Sequence, residues 1–192
     1  MLIYDEEAQN MLKTMENAEL DAIMHVADLM VAAAKTAPKG SGKDTVRALI
    51  LTGEEKDRLA DEMRKAADEY NEEFIRRDAG NVDASPCIVL IAALTKPFGL
   101  NNCGMCGFRN CAEMQKAGAN CAFNITDLGI AVGSAVSVAA DHRIDNRVMY
   151  SAGRGAVRMG LFPENVRVCY GIPLYTGSKS IFFDRGAGSV LL

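Results

Sequence analysis

Four of the six cysteines fall in one stretch of the chain, NNCGMCGFRNCAEMQKAGANC at residues 101–121. Cys103, Cys106, Cys111 and Cys121 are spaced C-x2-C-x4-C-x9-C. Four thiolates in one place suit a tetrahedral zinc ion or an iron–sulfur cluster. The C-x-x-C step lets two neighbouring thiolates converge, the next step brings in a third, and a helix returning across the last gap can deliver the fourth. Gly104 and Gly107 allow tight turns and are expected to leave backbone N–H groups free to approach the sulfurs. A plant-type [2Fe–2S] site has the x4 and x2 steps in the opposite order. No His stands near position 111, where a zinc knuckle would want one. The spacing favours a [4Fe–4S] cluster. Structural zinc is the alternative, and uncoordinated redox thiols are a third reading.

The remaining composition sets the background for this chemistry. The chain has 192 residues, enough for one domain with a real core and no need of disulfide staples. A net charge of −4, no Trp and only 6% aromatics disfavour a nucleic-acid surface or a base-stacking platform. The opening MLIYDEEAQN turns acidic where a secretory signal would be basic and then apolar. The most apolar run, residues 125–140, carries Asp127, Gly and Ser and is read as too short to span a bilayer. The expectation is a cytoplasmic protein with no membrane partner. Thiols stay reduced in that compartment, so clustered cysteines are read as metal ligands.

The elements that must carry the cysteines follow from periodicity. Residues 5–36 read as helix, with Leu20, Met24, Ala27, Val31 and Ala34 on one face. The breakers in APKGSGKD, residues 37–44, make a loop. A strand is expected over 45–53 and a helix over 54–77, with Leu59, Met63, Ala66, Ala67, Tyr70 and Phe74 as its stripe. Residues 78–86 read as loop. CIVLIAAL, residues 87–94, reads as a strand buried on both faces. After the cysteines come a short helix over 111–118, a buried helix over 125–142, a helix over 145–161 and a third strand over 165–175. The Ile181–Phe183 cluster is expected to dock on the body or on a partner. This alternation argues for a sheet covered by helices on both faces.

Other motifs carry less. APKGSGKDT has Ala37 and Asp44 where a P-loop needs Gly and Ser or Thr, so it reads as a solvated turn, with phosphate contact the minority reading. The pairs at Gly153–Gly155 and Gly186–Gly188 are not dinucleotide fingerprints; close packing or a chain end explains them. His25 reads as a packed or surface side chain. His142 sits near a helix end, where a cation is favourable, and an acid–base role for it is the minority reading. Cys87 and Cys169 lie inside apolar strands and read as buried structural cysteines.

GLNNCGMCGFRNCAEM, residues 99–114, resembles the segment G-x-N-C-G-x-C-G-x-x-x-C of small [4Fe–4S] modules. Such modules occur in corrinoid iron–sulfur proteins and electron-transport complex subunits, and they place their fourth cysteine further on than Cys121. The whole chain resembles uncharacterised prokaryotic proteins described as containing a ferredoxin domain. AAAKTAPKG, the cysteine block, DLGIAVGSAVSVAADH and GIPLYTGSKSIFFDR carry that likeness. Outside the cysteines the layout is similar to the nitroreductase-like flavoproteins: a helix end of the form AAxxAP precedes a strand, and a late G-x-P precedes a basic residue. That resemblance implies an α/β (α+β) class three-layer α/β/α sandwich, a homodimer, and FMN at the dimer interface. Such enzymes grip the FMN phosphate with an N-terminal R-x-S-x-R stretch, whereas no Arg precedes Arg47 in this chain. Lys39, Lys43 and Lys179 are the residues that could replace it.

The combined expectation is one nitroreductase-like domain over 1–192 with a cysteine-rich iron–sulfur insert over 99–123. Its metal ligands would be Cys103, Cys106, Cys111 and Cys121. The function expected is electron transfer or oxidoreduction through the cluster, with a redox partner protein and an unnamed substrate. The alternative is a non-catalytic binding protein whose four-cysteine site holds zinc or an inert cluster.

Overall fold

A computed structural model describes residues 12–163 and 165–183. Helix α1 (Met15–Thr36) starts where Thr14 accepts the Asn17 N–H at 3.3 Å, and it ends just before Pro38. Its buried face is Ile23, Val26, Ala27, Met30 and Ala34, while Leu20 is 46% exposed. The apolar stripe is therefore rotated from the one expected through Leu20, Met24 and Val31. Residues 1–11 and the Gly186–Gly188 pair lie outside the described residues.

Strand β1 (Val46–Thr52) leads into α2 (Gly53–Tyr70) and α3 (Glu73–Ala84). One helix over 54–77 and a loop over 78–86 were expected. Instead Asn71 adopts the left-handed conformation (φ 54°), which Asn tolerates better than most residues, and it divides the segment. The amphipathic pattern then resumes, with Ile75, Ala79 and Val82 buried.

Strand β2 (Cys87–Leu94) is followed by the cysteine segment, α4 (Cys111–Lys116) and α5 (Ala122–Asp141). The expected helix over 145–161 is in fact strand β3 (Asp145–Asn146) and the shorter α6 (Tyr150–Arg158). Asp145 and Asn146 pair with Tyr175 and Leu174, and these sheet bonds hold the backbone extended before the helix can start. Strand β4 (Val166–Tyr175) completes the sheet.

The four strands lie in the order β1-β2-β4-β3, each antiparallel to its neighbours. β2 is buried along its length because both faces are covered. Cys87, Val89, Ile91 and Ala93 join α1 and α5 in one core. Ile88, Leu90 and Ala92 join α2, α3 and α6 in the other. This is the expected α/β/α sandwich. Phe182 is fully buried in the second core, so the Ile181–Phe183 cluster docks on the body.

One close approach fixes a layer. A Cβ on Gly153 of α6 would lie 1.8 Å from the Cys169 carbonyl oxygen of β4, so only glycine lets this helix sit so close to the sheet. α5, at 20 residues, is long and apolar enough by length and composition to cross a membrane, contrary to the shorter span expected. Its Leu128, Ala131, Ala135 and Ala139 are fully buried in the core it shares with α1 and β2.

Candidate metal centre

The site forms where β2 leaves the sheet and α5 begins. Asn124, in the first turn of α5, is 3% exposed and donates through Nδ2 to the carbonyls of Leu94, at 3.0 Å, and Lys96. One turn on, Asp127 accepts the Gly40 N–H at 3.1 Å with each carboxylate oxygen. The α5 N-terminus thus clamps the exit of β2 and the turn that follows α1. Phe98 stacks on Phe123 of α5, with ring centroids 4.6 Å apart. Lys43 closes over Phe98: its ammonium lies 4.5 Å from the ring centroid and donates to the Phe98 carbonyl at 2.8 Å.

Beyond Phe98 the chain turns sharply. Gly104 and Gly107 both take positive φ, 67° and 82°. The Gly107 N–H donates to the Gly104 carbonyl at 2.9 Å. It closes that turn and is not free for a sulfur, contrary to the expectation above. Asn110 caps α4 by accepting the Glu113 N–H at 3.0 Å, which places Cys111 in the first turn of that helix. Cys121 is the N-cap residue of α5 and is 7% exposed, while Cys103, Cys106 and Cys111 are half-buried. Cys121 therefore stands at the positive end of the α5 dipole.

Cys103, Cys106, Cys111 and Cys121 all line one small hollow, of about 20 Å³. Its other walls include Phe98, Met114 and Phe123, which form a small apolar cluster distinct from the two main cores. Among the described residues, no three His, Cys, Asp or Glu side chains gather closely enough to hold one metal ion.

The other two cysteines are set apart. Cys87 and Cys169 sit in opposite cores, and burial pushes each thiol up to about 12. Both are inert core side chains, as expected. His25 and His142 are exposed, the latter capping the end of α5.

The lysines suggested for a phosphate or flavin are placed otherwise. The Lys39 ammonium donates to the carbonyls of Ala34 and Lys35, each at 2.9 Å, and of Ala37 at 2.7 Å. An ammonium has three donors, so all of them cap the end of α1. Lys43 holds Phe98, and Lys179 lies in the turns after β4. Lys39 is thus a structural tie, whereas Lys43 places one of its three donors on the Phe98 carbonyl.

A protein of Archaeoglobus fulgidus is 39% identical over 183 residues, spanning 91% of this chain and 98% of its own. Residues 117–185 match the family described as "Uncharacterized protein containing a ferredoxin domain". The chain belongs to that family. The matched segment includes Cys121, α5, α6 and β4, and the other three site cysteines lie just before it. Among solved structures, the FMN-dependent nitroreductase of Mycobacterium smegmatis in complex with NADPH superposes with TM-score 0.55 at 16% identity, over 81% of this chain and 78% of that one. A nitroreductase with bound FMN from Desulfitobacterium hafniense gives 0.53 at 14% identity, over 90% of this chain and 82% of its own. The family member thus has the nitroreductase fold. A ferredoxin-domain family, the nitroreductase fold and clustered cysteines thus coincide in one chain.

Proposed function

We propose that this protein is an iron–sulfur redox protein that moves electrons through a [4Fe–4S] cluster held by Cys103, Cys106, Cys111 and Cys121, in a reducing cytoplasmic setting. The observation that carries the reading is the shared hollow: four thiols from three separate local structures line one space walled by apolar side chains. A zinc ion needs four sulfurs at about 2.3 Å from one point, whereas a cluster of several atoms sits among thiols that stand apart. The C-x2-C-x4-C-x9-C spacing is what favours the cluster over zinc.

When bound, the cluster supplies reversible one-electron chemistry. The chain's own residues set its surroundings. Met114, Phe98 and Phe123 exclude water from one side and lower the local dielectric. Cys121 is fixed at the N-terminus of α5. Asn124 and Asp127 tie the neighbouring loops to α5, so the ligand-bearing segment leaves the sheet from a fixed point.

Protein purified without oxygen is expected to be brown and to bleach reversibly on reduction with dithionite. A spectrum that dithionite leaves unchanged would refute electron transfer through the site and leave it a structural staple.

A further inference from the structure

A second cavity lies beside the thiol hollow. Its walls include Lys43, Thr45, Arg47, Lys96, Phe98 and Asn124, and its volume is about 420 Å³, within the range of about 300–1,000 Å³ usual for small-molecule sites. Phe98 lines both spaces, so one aromatic ring separates them.

The cavity has two marks of an anion site. The first is uncompensated charge. Asp44 is the one acid among its lining residues, and Lys35 and the Val46 N–H already occupy that carboxylate. Against it stand Lys43, Arg47 and Lys96. Arg47 uses one N–H on the Val46 carbonyl at 2.8 Å, which leaves its other donors open. Among the described residues, no hydrogen bond or ion pair engages the Lys96 ammonium. The second mark is Thr45. It is 7% exposed, and its hydroxyl is buried without any hydrogen-bond partner. A buried polar group left unmatched is costly, and a ligand oxygen in the cavity would satisfy it.

We propose that this cavity binds the carboxylate or phosphate group of a small organic molecule. Arg47, Lys96 and Lys43 face the charge, the Thr45 hydroxyl donates to one oxygen, and the rest of the molecule lies against Leu94, Pro97 and Phe98. Identifying that molecule as the redox substrate rests on the function proposed above; the binding itself does not.

Calorimetric titration of the full chain with benzoate and with phenyl phosphate tests the site and distinguishes the two oxyanions. Saturable binding of at least one is expected, and the tighter probe names the group. Replacing Arg47→Gln and Lys96→Gln together should weaken binding about tenfold or more, because each removes a charge-assisted contact. Thr45→Val should also weaken it without lowering the melting temperature, since the lost hydroxyl has no partner in the protein. Absence of saturable binding for both probes, or affinity that the double variant leaves unchanged, would overturn the proposal. Protein that binds benzoate but carries zinc would support this pocket while refuting the cluster. Iron-loaded protein that binds neither probe would do the reverse.

Discussion

Cys121 and Cys169 are both buried, 7% and 4% exposed, yet they sit in different surroundings. Cys169 lies between a strand and a helix, where burial raises its thiol to about 12 and leaves it protonated. Cys121 caps α5 and faces a hollow that three other thiols share. The account therefore separates the two classes by mutation. Cys106→Ser should strip the protein of iron and colour, while Cys169→Ser should keep both; iron analysis of the two variants checks this, and full iron in the first would contradict the ligand assignment. These cysteines were legible in the sequence because their spacing is local. Thr45, Arg47, Lys96 and Phe98 were not, because they meet only when the entry to β1, the exit of β2 and the α5 N-terminus come together. The lone signal for Phe98 was its position just before the cysteine block.

At the scale of elements, contacts between helix and sheet decide the layers. Gly153 permits α6 to lie on β4, and Gly153→Ala should cost about 3 kcal/mol through forced backbone movement. Urea unfolding would measure it, and an unchanged midpoint would show that the helix can move away freely. α2 and α6 are also tied by charge: Arg158 meets Glu62 at 2.8 Å and Glu69 at 2.9 Å. The hydrogen bond from Arg158 holds the Glu62 carboxyl below its ordinary 4.5. A carboxylate lowered in the folded state stabilises fully above its unfolded value and loses that contribution as pH falls through the folded one. Stability should therefore drop below about pH 4.5, and Glu62→Gln should flatten that acid limb. Denaturant midpoints taken across that range would show it, and superimposable curves would refute the tie. The strands were readable from their apolar runs. The α2–α3 break and the β3–α6 segment were not, because a left-handed Asn71 and a two-residue pairing to β4 leave no periodic trace.

Over the whole molecule, a nitroreductase-type sandwich supplies two packed cores, and the cysteine segment leaves it between β2 and α5 with a small core of its own. The layers were foreseeable from alternating helix and strand patterns, and from β2 being apolar on both sides. The antiparallel order was not, since periodicity fixes which faces are buried and not which strands are neighbours. The sandwich frames the rim of the site, and the excursion carries the four cysteines proposed as cluster ligands. Its central claim is the cluster. Metal analysis of anaerobically purified protein, with its visible spectrum, tests that claim most directly. The account predicts about four iron atoms per chain and a broad blue-side absorbance. A single zinc ion per chain, no iron and a colourless solution would contradict it.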